Sequence, residues 1–103
     1  MAREGYFGHE ALDGSSVDAR IVRFYPSAGR RLWAVGENLV WGAPDLGATR
    51  ALHLWLRSPL HRENLFTAGW REIGIGAVHV PSAPGIFGGA PVTIVTVDFG
   101  VRR

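Results

Sequence analysis

Two histidines and two glutamates, far apart in the sequence, are the residues best suited to chemistry: His9, Glu37, His61 and Glu72. Imidazole nitrogens and carboxylate oxygens are ligands that a borderline divalent metal such as zinc accepts. Because the four residues lie in separate segments, they can share a metal only if the fold brings those segments together. Their local patterns are Phe7-Gly8-His9, Gly36-Glu37-Asn38-Leu39, Ser58-Pro59-Leu60-His61-Arg62 and Trp70-Arg71-Glu72-Ile73-Gly74-Ile75-Gly76.

Taken in order, these patterns resemble the CAP superfamily, whose SCP-like domain occurs in cysteine-rich secretory proteins, antigen 5 allergens, pathogenesis-related proteins and bacterial exported proteins. The bacterial branch is the closer match. Its marks here are the aromatic-small-His opening, Gly-Glu-Asn, the turn from Trp55 to Arg62, the Glu-Ile-Gly-Ile-Gly strand and a closing Asp98-Phe99-Gly100. The resemblance runs from about Tyr6 to Gly100.

The resemblance implies an α+β fold: an α/β/α sandwich of the CAP type, with a small antiparallel sheet between helices, forming a single domain over residues 1–103. In the family the first helix precedes the Phe-x-His pattern, and Met1 to Glu4 resembles its last turn. We therefore expect a chain that is incomplete at its N-terminus, with the first helix largely missing. The apolar face that this helix would cover is then expected to be exposed.

A cleft with two histidines and two acids is also implied by the resemblance, with His9, Glu37, His61 and Glu72 as its members. In some relatives this tetrad holds a divalent cation, and zinc is the ion we expect if one is bound. Asn38 and Arg62 are expected to support the cleft.

The residues alone leave other interpretations open. Without the resemblance, a loop histidine bonded to backbone is the favoured interpretation of His9, and His61 could be an exposed residue on a short helix. Glu72 could pair with Arg71 or with Arg62. Glu37 lies in a mostly apolar segment, so burial without partners would be costly and partners are expected.

Composition indicates one small folded domain without a membrane-spanning helix. The chain is 47% hydrophobic and 19% charged, which excludes disorder by composition. No apolar run approaches the ~18 residues of a membrane-spanning helix, and the absence of cysteine excludes disulfides. The first residues lack a signal peptide, so an extracellular or cell-envelope location is implied by the resemblance alone.

The net charge of +2 and a pI near 9.9 raise the question of a nucleic-acid partner. All eleven basic residues are arginines, and along the sequence they are scattered rather than arranged in a stripe. We therefore expect no nucleic-acid partner.

Local signals predict three helices and two strands. A first helix is capped by Ser15 or Ser16, and a second, capped by Asp45, ends near Ser58 because Pro59 disfavours helical geometry before it. The Gly-Glu-Asn segment is predicted as a loop that Asn38 braces, and Ile86-Phe87 as the tip of a Pro- and Gly-rich loop. The predicted elements are helices 17–24, 46–58 and 59–65 and antiparallel strands 72–80 and 92–99.

Three functions follow as hypotheses. The first is a non-catalytic module that binds a lipid, a peptide or a cell-wall fragment, or a divalent metal, in the cleft. The second is a metal-dependent hydrolase, although no His-Glu-x-x-His helix and no nucleophile constellation is present. The third is a structural polar cluster without a ligand. No catalytic residue is predicted, an enzyme is the less favoured interpretation, and the oligomeric state is left open.

Overall fold

The computed structural model describes all residues from Met1 to Arg103. Three helices and three strands are joined by loops that contain two short 3-10 turns, Ala2–Glu4 and Gly85–Phe87. In chain order the elements are α1 (Val17–Ile21), β1 (Trp33–Gly42), α2 (Ala48–Arg57), α3 (Pro59–Phe66), β2 (Glu72–Val80) and β3 (Val92–Arg102). No helix is long and apolar enough to cross a membrane.

The three strands form one antiparallel sheet in the order β1-β3-β2. Its register places Glu37 of β1 opposite Asp98 of β3, and Gly74 of β2 opposite the same Asp98. Because paired residues of an antiparallel sheet share a face, these three positions form a row across it. Side chains of neighbouring residues point to opposite faces, so Asn38 lies on the other side from Glu37.

Helices α2 and α3 pack on the face that carries Asn38, which we call the helix face. Its core contains Leu46, Ala51, Trp55, Val95, Val97 and Phe99. The other face, which carries Glu37 and Asp98, we call the cleft face. At one end it is covered by a second core of Ala2, Ala83, Phe87, Val92 and Ile94. The result is a mixed helix and sheet fold with a small antiparallel sheet between two layers, as the resemblance implied.

Strand β1 is the main element that sequence patterns did not predict. The Gly-Glu-Asn segment is extended and pairs with β3 over ten residues, so Glu37 and Asn38 lie in a strand rather than a loop. Residues 37–39 are buried on both faces. A strand covered on both faces loses the apolar-polar alternation by which strands are recognised.

Helix boundaries differ from the predictions by a few residues. Helix α1 ends at Ile21 and continues as turns rather than as helix to Phe24. Helix α2 is capped by Gly47, not by Asp45. The break predicted before Pro59 is present, with Ser58 as N-cap of α3.

Strand β2 is exposed along its length. Ile73 and Ile75 share one face, as their alternation predicts, yet they are 62% and 71% exposed. Phe87 of the predicted loop tip is buried, while Ile86 is 65% exposed. Ile73 and Ile75 pair with Phe99 and Val97 of the helix-face core, so α2 and α3 leave the β2 edge of that face uncovered.

Candidate functional site

Glu37 and Asp98 lie side by side at the middle of the cleft face. Glu37 is carried by β1 and Asp98 by the central strand β3, where the register makes them direct neighbours. The loop before α1 brings His9 to Glu37, and α1 itself brings Arg20. Two strands, one loop and one helix therefore meet at a cluster of two acids and two basic side chains.

The cluster is held by short polar contacts on Glu37. His9 Nδ1 lies 2.9 Å from Glu37 Oε1, and Arg20 Nη2 lies 3.4 Å from the same oxygen. Arg20 Nη2 also donates a hydrogen bond of 2.6 Å to the carbonyl of His9. The Glu37 side chain is 2% exposed and that of His9 is 54% exposed. The buried carboxylate thus has the partners that its burial requires.

Asp98 is the titratable centre of the cluster. Burial raises its pKa to about 7, and a hydrogen bond with Glu37 and repulsion from that carboxylate act in the same direction. Arg20 and His9 oppose the shift without cancelling it. Asp98 therefore keeps its proton to a higher pH than an exposed aspartate does, as expected of a buried acid beside a second carboxyl group. Oδ1 of Asp98 is buried and has no hydrogen-bond partner.

Glu72 lies on the same face but belongs to a different cluster. The hydroxyl of Tyr25 donates to Glu72 Oε1 at 2.6 Å, and Arg102 Nε lies 3.4 Å from the same oxygen. The hydrogen bond from Tyr25 lowers the pKa of Glu72, and Arg102 adds to the effect. The ion-pair partner is thus Arg102, rather than Arg71 or Arg62 as the sequence suggested.

Gly100 is what lets Tyr25 reach Glu72. A Cβ at position 100 would lie 2.7 Å from Tyr25 Cε1, closer than side chains tolerate. The aromatic ring therefore lies directly over the backbone of β3, and the guanidinium of Arg102 stacks on it with 4.0 Å to the ring centroid.

His61 and the two expected supporting residues lie on or beside α3. His61 Nδ1 is 2.7 Å from Ser58 Oγ, and its carbonyl accepts a 2.9 Å hydrogen bond from Asn38 Nδ2. Asn38 faces α3 because it neighbours Glu37 on the strand, so it ties β1 to the helix instead of lining the cleft face. Arg62 lies over the ring of Phe66, 5.7 Å from its centroid.

Of the four predicted metal ligands, the structure brings only His9 and Glu37 together. His61 is bonded to Ser58 and Glu72 to Tyr25. No group of three His, Cys, Asp or Glu side chains is arranged to hold a metal ion. Zinc binding by His9, Glu37, His61 and Glu72 stays a prediction, and it would require two of the four to leave their present partners.

A cavity of about 260 Å³ connects the two clusters. Asp98 and Glu72 contribute carboxyl groups to its wall, and most of the remaining wall is apolar or aromatic. The lining residues are Ile21, Phe24, Tyr25, Glu72, Ile73, Gly74, Asp98, Phe99 and Gly100. Small ligand sites combine an apolar wall with a few polar groups in this way.

Sequence reasoning singled out Glu37 but missed Asp98 and Arg20, which lie beside it, and Tyr25, which binds Glu72. Asp98 had a detectable signal, because it is the one charged residue within the apolar run from Val92 to Val101. Arg20 and Tyr25 had none, since their roles depend on how α1 and the turn after it lie against the sheet.

Two solved structures resemble the chain over nearly its whole length. An extracellular protein containing an SCP domain from Bacillus anthracis strain Ames is 24% identical, with a TM-score of 0.62 over 95% of this chain. An outer surface protein from Borrelia burgdorferi is 25% identical, with a TM-score of 0.60 over 94% of this chain. This chain has the CAP, or SCP-like, fold.

Both of the solved structures that resemble this chain are longer than it is. The aligned part spans 26% of the Bacillus protein and 61% of the Borrelia protein. No protein-family model and no curated protein matches the sequence. The CAP fold is therefore established by structural similarity and by the elements that carry the Gly-Glu-Asn and Asp-Phe-Gly segments.

Proposed function

We propose that this CAP-fold chain is a non-catalytic binding module that acts outside the cytoplasm, in the cell envelope or beyond it. Its ligand would be a small amphipathic molecule with an apolar body and a head that donates hydrogen bonds. The location is supported by the two structural neighbours, which are an extracellular protein and an outer surface protein. The observation that carries the ligand is Asp98, which lines the apolar cavity and whose buried Oδ1 has no hydrogen-bond partner.

The hydrogen-bond donors and acceptors of the cavity wall indicate what kind of polar head the ligand has. Asp98 and Glu72 offer carboxyl oxygens, and the hydroxyl of Tyr25 is already donated to Glu72. An acidic wall favours a cationic or neutral donor over a carboxylate, which would meet like charge. An ammonium or hydroxyl head would satisfy Asp98 Oδ1 and remove the cost of a buried unpaired acceptor.

Catalysis is the weaker alternative. The hydrolase hypothesis needs an activated water, and Glu37 is the natural base, yet its carboxylate is 2% exposed and already bound by His9 and Arg20. A polar cluster with a purely structural role is the other alternative, and it predicts no binding.

The test uses three probes with one alkyl chain and different heads: octylamine, octanol and octanoate. Binding is followed by nuclear magnetic resonance shifts of the backbone amides of residues 72–74 and 98–100, with affinities from the same titrations. We expect octylamine to bind more tightly than octanol, and octanoate to bind at least tenfold more weakly than octylamine, because a charged hydrogen bond contributes ~1.5–3 kcal/mol.

Asp98→Asn should remove the preference for octylamine over octanol, since the amide cannot ionise. Asp45→Asn is the matched control, because Asp45 is an exposed aspartate outside the cavity. Equal binding of all three probes, or shifts that lie elsewhere in a folded protein, would contradict the proposed ligand class.

A further inference from the structure

Folding gathers arginines that are scattered along the sequence. The starts of β1 and β2 and the end of β3 lie at the same end of the sheet, because Trp33 pairs with Arg102 and Glu72 with Gly100. The segments that meet there, residues 23–33, 70–73 and 99–103, contain six of the eleven arginines. Glu72 is their one acidic side chain.

Hydrogen bonds of the backbone fix several of these arginines next to one another. Leu32 and Arg103 exchange two backbone hydrogen bonds of 3.0 and 2.9 Å, which places Arg31 beside the end of β3. The amide of Arg71 donates to the carbonyl of Gly100 at 3.0 Å. Arg30 lies close enough to Glu72 to help lower the pKa of that carboxyl.

Three of these guanidinium groups are free to bind something else. The side chains of Arg30, Arg31 and Arg103 are exposed and make no hydrogen bond or ion pair, whereas Arg71 and Arg102 bind backbone carbonyls. We call Arg30, Arg31, Arg71, Arg102 and Arg103 the arginine end. The arginine end keeps a net positive charge, because the one acidic side chain there, Glu72, is paired with Arg102.

An exposed aromatic side chain accompanies the arginine end. Phe24 is 90% exposed, more than any other large apolar residue of the chain, and Leu32 nearby is 43% exposed. Phe24 lies in the turn next to Tyr25, whose carbonyl accepts a 2.8 Å hydrogen bond from the indole of Trp33 at the start of β1. An apolar side chain this exposed is costly to hydrate, and Phe24 belongs to the segment that leads to Arg30 and Arg31.

We propose that the arginine end, with Phe24, is a docking surface for a lipid membrane rich in anionic headgroups. Guanidinium groups bind phosphates through parallel hydrogen bonds, and an exposed aromatic side chain at the same end of the domain can enter the boundary between headgroups and acyl chains. Charge complementarity supports this occupant, because anionic lipids attract clustered arginines at close range. The surface lies outside the cavity wall except for Phe24.

A membrane accounts for this surface better than a nucleic acid does. The arginines stand around the ends of three strands and do not follow a groove along which a phosphate backbone could run. The apolar members, Phe24 and Leu32, are the part that a nucleic acid or another soluble polyanion would leave exposed to water. A hydrated lipid interface satisfies both kinds of side chain.

The experiment is co-sedimentation of the full chain with vesicles that contain phosphatidylglycerol and phosphatidylcholine in about a 1:2 ratio, compared with phosphatidylcholine alone. Binding is expected with the anionic vesicles and should weaken as salt rises, because exposed charges are screened. Arg30→Gln/Arg31→Gln should weaken binding about 25-fold, or about fivefold for each arginine.

The control Arg50→Gln/Arg57→Gln removes the same two positive charges from exposed positions on α2 and should change binding by less than about threefold. Phe24→Ser should weaken binding about tenfold, whereas Phe66→Ser, at a position 68% exposed on α3, should not. Circular dichroism is used to show that each variant is folded.

Three results would overturn the proposal. They are no binding of the folded chain to anionic vesicles, equal losses in the two arginine double variants, and tight binding to single-stranded DNA or heparin with no effect of Phe24→Ser. The proposal is separable from the cavity ligand, because Asp98→Asn should alter octylamine binding and leave vesicle binding unchanged.

Discussion

Two glutamates on the same face of the sheet, each on a strand next to β3, have opposite environments. The Glu37 side chain is 2% exposed and contacts two basic side chains, His9 and Arg20. The Glu72 side chain is 50% exposed and contacts Tyr25 and Arg102. Residue type and sheet position are nearly the same, so the difference comes from what covers each strand.

The comparison shows which polar contacts the fold depends on. A buried carboxylate without partners is unstable, so the contacts of Glu37 are needed for the folded state. The contacts of Glu72 are made in water, where solvent and salt screen them. Glu37 therefore couples the cavity to the stability of the domain, whereas Glu72 is free to respond to a ligand.

The largest expected effect is that of removing the buried acid. Glu37→Ala leaves Arg20 and Asp98 without their central partner, and we expect a loss of about 3–5 kcal/mol in the free energy of unfolding. Glu72→Ala should change stability little. Denaturation by urea, followed by circular dichroism, measures both. Equal losses in the two variants would show that burial does not separate the two glutamates.

Much of the fold could be predicted from local signals, and the reason is physical. In β2 the apolar residues Ile73, Ile75 and Ala77 alternate with glycines, and the break between α2 and α3 is fixed by Pro59. Strand β1 was wrongly predicted as a loop, since Leu39 and its neighbours are buried on both faces and give no period. Local patterns thus locate elements whose sequence has a period better than elements that are covered on both faces.

The site could be predicted only in part. The need of Glu37 for partners follows from its apolar surroundings, and Glu37 does have them. Which side chains supply them does not follow, because Arg20 and Asp98 reach Glu37 through the packing of α1 and the pairing of β1 with β3. His61 was expected in the same cleft as Glu37. It contacts Asn38 instead, and Asn38 points to the opposite face of the sheet because it is the next residue after Glu37 on the strand.

A smaller effect is expected from filling the space under Tyr25. Gly100→Ala would place a Cβ 2.7 Å from the ring of Tyr25, so the ring must move and its hydrogen bond with Glu72 should be lost. We expect a loss of about 1–3 kcal/mol from overpacking. Gly74→Ala is the control, because a methyl group added at Gly74, on the same face, would have no neighbouring atom within 4 Å. A Gly100→Ala variant as stable as Gly74→Ala would mean that Tyr25 is not held in place.

The smallest effect concerns pH and separates the two acid clusters by sign. The pKa of Asp98 is raised to about 7 in the folded chain, so its contribution to stability is fully present below its unfolded value of 3.8. It is lost as pH rises through about 7, because the folded state must then give up a proton that it holds more tightly. Asp98→Asn cannot ionise, so wild type should lose stability relative to this variant over that range.

Glu72 should behave in the opposite way. Its pKa is lowered by Tyr25 and Arg102, so its contribution is present above the unfolded value of 4.5 and is lost as pH falls through the folded value. Melting temperatures of wild type, Asp98→Asn and Glu72→Gln, taken from a pH well below 4.5 to a pH above 7, measure both contributions. We expect differences of about 4 °C or less, since both carboxyls are partly screened by solvent. If the wild type and Asp98→Asn curves stay parallel, the pKa of Asp98 is not raised in the folded chain, and the distinction between a buried acid and an exposed acid fails at Asp98.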